Sequence, residues 1–154
     1  MSLLTDEIRA MVGRQVSYPA PEPLGRAAIR YFALATGDEA PEHRSGDVAP
    51  PTLVFETNQY ADRPPDADGD GGHGWELGVP GARTVRGGHD YLWHRPLRPD
   101  DVVTATWTLV DVTERRTSSG APMLVVTSHC RYTGAGGEPI AEQTETILHI
   151  GPDR

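Results

Sequence analysis

The stretch Val102-Val-Thr-Ala-Thr-Trp-Thr-Leu-Val-Asp-Val-Thr113 sets apolar Val103, Ala105, Trp107 and Leu109 against Thr104, Thr106 and Thr108. Successive side chains of a strand point to opposite faces, so this period of two predicts a β-strand with one face on a core and one in water. Residues 89–94, 122–133 and 140–150 share its richness in Val, Thr, Ile, Tyr and Trp. Turn-forming clusters at 95–101, 114–121 and 134–139 separate these segments. Three consecutive strands joined by hairpins follow, in an antiparallel sheet.

Upstream the period lengthens. Ala27, Ala28, Tyr31, Phe32 and Ala35 recur at three and four residues, which predicts an amphipathic helix over 24–36 closed by Gly37. Residues 3–11 predict a shorter helix, and prolines at 19, 21 and 23 make 18–23 an extended connector. Residues 38–51 read as a loop, and 52–60 as a second helix entered through Pro50 and Pro51. Residues 61–88 carry the densest Gly, Pro and Asp content, a long surface excursion whose second half Trp75, Leu77, Val79 and Val85 can anchor. Helices first and antiparallel sheet second give an α+β class.

The 154 residues suit one domain spanning 1–154, with 14 basic against 22 acidic side chains and a net charge of −8. That balance argues against nucleic acid as a partner, because duplex binding needs a basic stripe to displace phosphate counterions. Cys130 is the single cysteine, which excludes an intramolecular disulfide and a cysteine-built zinc site. Residues 1–17 have neither the apolar core of a secretory signal nor the length of a membrane span, so a cytoplasmic protein without a membrane partner is expected.

One stretch carries chemistry. Tyr31-Phe-Ala-Leu-Ala-Thr-Gly-Asp-Glu-Ala-Pro-Glu-His43 resembles the signature of the MaoC-like, R-specific enoyl-thioester hydratases and dehydratases, in which Thr/Ser-Gly-Asp-x-Asn-Pro-x-His follows aromatic and small residues. Thr36, Gly37, Asp38, Pro41 and His43 match, and Ala40 replaces the usual Asn. Ala49-Pro-Pro-Thr52 resembles the entrance to the central helix in the dehydratase N-terminal-domain branch. His94-Arg-Pro-Leu-Arg-Pro-Asp-Asp101 is similar to its turn before a long strand. The resemblance covers most of residues 10–150.

It implies a single hot-dog fold, an antiparallel sheet wrapped around a central helix that starts near Thr52. It also implies pairing with a second hot-dog subunit, as a homodimer or a heterodimer. The implied reaction is reversible addition of water to a 2-enoyl thioester carried by coenzyme A or acyl carrier protein, with no metal or redox cofactor. Such a reaction needs a base for the water, an acid for C2 and donors at the thioester oxygen. Asp38 and His43 are the implied catalytic pair; burial is expected to raise the Asp38 pKa and leave His43 near neutrality. Pro50 and Pro51 have no N–H, so the Thr52 amide, or the next one, is the expected oxyanion donor. A non-catalytic hot-dog partner subunit, a hot-dog thioesterase and a simple ligand-binding module stand as alternatives on the same fold.

The remaining candidates have plainer readings beside them. Arg83, Arg86, Arg95 and Arg98 offer guanidinium forks that match the phosphates of coenzyme A or phosphopantetheine, or simply keep the surface charged. Asp66, Asp68 and Asp70, flanked by His73 and His89, superficially suggest a metal, but the calcium-loop glutamate is missing and a solvated loop is expected. Tyr91, Trp93, Trp107, Met123 and Cys130 read as packing residues.

Overall fold

In the computed structural model, which describes residues 2–65, 69 and 71–152, the chain runs α1 (Asp6–Ala10), β1 (Gln15–Pro19), α2 (Arg26–Thr36) and α3 (Pro41–Ser45). Two 3-10 segments, Pro51–Glu56 and Asn58–Tyr60, precede β2 (Arg83–Trp93), β3 (Thr104–Arg116), β4 (Pro122–Thr133) and β5 (Pro139–Ile150). The strands form one five-stranded sheet in the order β1-β3-β4-β5-β2, antiparallel at every pairing. The aspartates at 66, 68 and 70 lie outside the described residues.

The alternation of residues 102–113 sets the sheet's inner face. Val103, Ala105, Trp107 and Leu109 are all buried. A bulge between Leu109 and Asp111 then inserts one residue, which exposes Val110 and returns Val112 to the core. Leu124, Val126, Cys130 and Tyr132 line the same face of β4. Ile29 of α2, Ala49 just before the 3-10 region, and Leu53 and Val54 within it pack onto Ala105, Trp107, Cys130 and Tyr132. A second cluster joins Leu4 and Ile8 to Leu77, Leu109, Val112 and Leu124, with Trp75 and Val79 against it, so the second half of the long excursion is anchored as expected.

Besides the helical turn Pro41–Ser45, which lies inside the segment 38–51 read as a loop because Ala40 and Pro41 start it and Gly46 closes it, four expectations change. β2 begins at Arg83, within the segment read as loop, because Gly87 and Gly88 belong to a strand: Arg86 pairs with Ile147 and Gly88 with Thr146, leaving Gly87 as a bulge. A Cβ on Gly87 would sit 3.1 Å from both Cγ2 and the carbonyl oxygen of Thr146, so glycine here marks a close backbone approach rather than a turn. β1, unanticipated, pairs with Thr104–Thr108 of β3 as a short edge strand whose alternation of Gln15 and Ser17 with Val16 and Tyr18 spans too few residues before Pro19 to mark a strand by itself. The helix expected over 52–60 is instead two 3-10 pieces separated by an extended Thr57 (φ −77°, ψ 173°). The Thr57 hydroxyl and the Gln59 amide both donate to the Val54 carbonyl at 3.2 Å, and this competes with the backbone ladder that would continue a helix.

The fourth change concerns His73, which is not a solvated loop residue. It stacks on Trp107 at a centroid distance of 4.7 Å, meets Trp75 edge-on at 4.5 Å, and hydrogen-bonds the Tyr18 hydroxyl through Nδ1 at 2.9 Å. Burial, reinforced by Arg63 and Arg14, lowers its pKa to about 4, so the ring is neutral. Among the described residues, no helix is long and apolar enough to cross a membrane, and no group of three or more His, Cys, Asp or Glu is placed to hold a metal ion.

Candidate active site

The carboxylate and the imidazole are positioned by two successive helix ends. α2 closes with Gly37 at φ 70°, its amide bonded to the Leu34 carbonyl at 3.3 Å and the Asp38 amide to Ala33 at 2.8 Å. This pair of reverse bonds is a Schellman motif, which needs a left-handed residue and so explains Gly37. Asp38 is the first residue beyond it. Ala40 then caps α3, Pro41 occupies the first turn where a missing N–H costs least, and His43 follows within that turn. Gly46 (φ 83°) closes α3 in the same way, with Gly46 N–H on His43 and Asp47 N–H on Glu42, each at 3.1 Å.

The two motifs turn both side chains toward each other. Asp38 Oδ1 accepts the Ala40 amide at 2.9 Å, and Asp38 Oδ2 lies 2.7 Å from His43 Nδ1. The Ala40 hydrogen bond, helped by His43 and Arg44, outweighs desolvation and holds the Asp38 carboxyl below the usual carboxylate range. This reverses the expected rise: the carboxylate is partly solvated and caps a backbone amide, both of which favour its ionised form. An ionised carboxylate only accepts, so Nδ1–H of His43 donates and Nε2 is left as the free ring nitrogen. Nε2 has no partner among the described residues.

His43 walls an apolar cavity of about 600 Å³ together with Ala49, Pro51, Val54, Trp93 and Leu97. Trp93 and Tyr91, expected as core, are partly exposed on β2, and Trp93 Nε1–H donates to the Pro51 carbonyl at 3.0 Å, pinning the entrance of the 3-10 region. Thr52 is the first residue there with an N–H, and that amide has no acceptor among the described residues. A six-residue 3-10 segment stands where a long helix was expected to supply a dipole. His94 also walls the cavity, and it and His129 each bind one oxygen of Glu142 at 2.8 Å.

Residues 10–143 match the family described as FAS1-like, dehydratase domain region. The chain belongs to that family. This FAS1-like dehydratase-region protein is 31% identical over 152 residues to a UPF0336 protein of Cutibacterium acnes, across 92% of this chain and 93% of that one. Among solved structures it is similar to the ChsH1-ChsH2 complex from Mycobacterium tuberculosis, with TM-score 0.71 and 20% identity over 90% of this chain and 85% of that one. It is also similar to a MaoC-like dehydratase from Rhodospirillum rubrum, with TM-score 0.61 and 18% identity over 93% and 94%. These likenesses show the fold, the hot-dog fold of MaoC-like dehydratases.

The arginines of this FAS1-like dehydratase-region chain do not converge. Arg95 reaches the cavity wall, but its guanidinium is held by both oxygens of Asp101, at 2.9 and 2.6 Å, and by Glu138 at 3.0 Å. Arg86 bonds Glu145 at 3.3 Å, and Arg83 opens β2 at the end opposite Trp93. Arg98 lies beside Arg26 and Asp47, outside the His43 cavity. Cys130 is fully buried, and burial pushes its thiol up to about 12, which leaves it a packing residue.

Proposed function

We propose that this chain is a hydratase/dehydratase that reversibly adds water across the C2=C3 bond of a 2-enoyl thioester carried by coenzyme A or acyl carrier protein. The observation that carries this reading is the 2.7 Å Asp38–His43 bond at the wall of an apolar cavity. Because Asp38 stays ionised, it positions the ring and stabilises its charged form, and both proton transfers fall to His43. Nε2 takes a proton from water as the oxygen bonds to C3; the electron pair moves onto the thioester oxygen; the imidazolium then returns the proton to C2. The free Thr52 amide is the donor proposed for the thioester oxygen. Dehydration runs the same steps backwards.

A second hot-dog subunit, identical or different, is the proposed partner, and β2 is where it pairs. β2 is an eleven-residue edge strand with Tyr91, Leu92 and Trp93 exposed, whereas the other edge, β1, has five residues and ends in proline. Long apolar edges are the ones that take another chain. The complex formed by ChsH1 and ChsH2 supports such a pairing.

The reading is tested with purified protein and a short trans-2-enoyl thioester, following enoyl absorbance and free thiol in parallel. Loss of absorbance without thiol release, abolished in a folded His43→Ala variant, is the expected result. Thiol release identifies a thioesterase instead. Turnover only after mixing with a second hot-dog subunit that is itself unaffected by loss of His43 here would assign this chain the supporting role.

A further inference from the structure

The inner face of the sheet is divided by chemistry. On β3 and β4 it carries Trp107, Leu109, Leu124 and Val126, as a core should. On β5 and β2 the same face carries Gln143 and Glu145, with His89 and Arg86 beside them. Gln143 Nε2–H donates to the Tyr132 hydroxyl at 2.6 Å, its Oε1 lies 3.4 Å from His89 Nδ1, and Glu145 lies 3.3 Å from Arg86 and 3.7 Å from His89. These groups border a cavity of about 780 Å³. Polar side chains on a core-facing strand position break the pattern that folds the sheet, and such departures mark function more often than stability.

This polar cavity adjoins the apolar one. Val54 walls the His43 cavity and Phe55 the polar one; on β2, Trp93 walls the first and Tyr91 the second. The Phe55 ring stacks on Tyr91 at 4.5 Å and tilts against Trp93 at 6.0 Å, so an aromatic partition separates the two spaces. The path proposed below runs from His43 along β2, past these rings, to Gln143 and His89.

Resting on the hydratase reading, we propose that the polar cavity receives the distal half of the acyl chain, and that this half carries hydroxyl or carbonyl groups several carbons from the thioester. An alkyl tail placed there would cover the second Nε2–H of Gln143, the one Tyr132 does not take, together with the partly exposed Arg86, and return no hydrogen bond. An oxygenated tail returns one. A site built to hydrogen-bond a substrate oxygen discriminates strongly against the analogue lacking it, whereas an apolar pocket discriminates weakly between chains.

The test uses trans-2-decenoyl thioesters of N-acetylcysteamine, the plain chain against chains with a hydroxyl or keto group at C7 or C9. At least one oxygenated chain should be turned over with kcat/KM about tenfold or more above the plain chain, mainly through KM. Gln143→Leu should collapse that ratio toward one, and the less buried His89→Phe supplies the same comparison if Gln143→Leu does not fold. A wild-type protein that turns over the plain chain as well as or better than every oxygenated one overturns the inference and leaves the hydratase reading standing. If no thioester is turned over, that reading fails, and tryptophan-fluorescence titration with the corresponding 3-hydroxyacyl thioesters decides the inference by itself: tighter oxygenated binding supports it, equal affinity overturns it.

Discussion

Asp38→Asn exchanges one carboxylate oxygen for an amide nitrogen at the atom that holds His43. In the wild type, Asp38 Oδ1 accepts from Ala40 at 2.9 Å and Oδ2 accepts Nδ1–H of His43 at 2.7 Å. Asparagine keeps its carbonyl for Ala40 and turns its N–H toward the ring. His43 must then accept through Nδ1 and carry its proton on Nε2, which can no longer take one from water. Loss of a positioned general base costs about 10²–10⁴ in rate, so kcat for hydration of a short enoyl thioester should fall by that factor. The fold should survive, with circular dichroism unchanged and a melting temperature within a few degrees, because the Ala40 bond and both Schellman motifs remain. The Ala40 bond and the His43 partnership lower the Asp38 pKa, so its contribution to stability is present above the unfolded value, about 3.9, and is lost as pH falls through the lower folded value. Wild type and variant should therefore differ most near neutrality and converge in acid. A folded Asp38→Asn protein within about threefold of wild-type kcat would refute the assignment of His43 as a base oriented by Asp38.

Two further outcomes are expected. Gly46→Ala places a Cβ 2.8 Å from the Arg26 carbonyl oxygen at φ 83°, and the left-handed conformation alone costs about 1–2 kcal/mol; calorimetry should show a melting temperature lower by several degrees, and an unchanged one would mean that the α3 terminus relaxes freely. Asp101 is partly buried, which by itself would raise its pKa, but the Arg95 fork and the Arg98 amide at 2.7 Å outweigh that and lower it; Asp101→Asn should cost about 1–3 kcal/mol in urea unfolding at pH 7, and the difference should vanish as pH falls below the carboxylate range, whereas an equal loss at both pH values would exclude the ion pair as its source.

The parts of the fold that could be read from residue order share a physical property: each is set by neighbours close in the chain. Threonines alternating with Val103, Ala105, Trp107 and Leu109 define which face of β3 is wet, whatever lies opposite. Gly37 ends α2 because only its own backbone must reach the left-handed region. The spacing from Thr36 to His43 likewise brings Asp38 and His43 together, since Gly37, Pro41 and Gly46 steer one short stretch of chain.

What depended on tertiary contacts was decided by distant partners. Gly87 and Gly88 read as a turn until Thr146 is seen packed against them, and β1 becomes a strand only because β3 offers it an edge. The central segment fails to become an α-helix because Thr57 and Gln59 compete for a backbone carbonyl. The direction of the Asp38 shift is set by the Ala40 amide, and Arg95 is committed to Asp101 and Glu138 rather than open to a phosphate. The polar cavity depends most on the fold: Gln143 and His89 are 54 residues apart in sequence and meet because antiparallel pairing of β2 with β5 puts them on one face. Sequence order sets the local chemistry of Asp38 and His43, while the space that a substrate would fill exists only where strands and loops far apart in the chain are packed together.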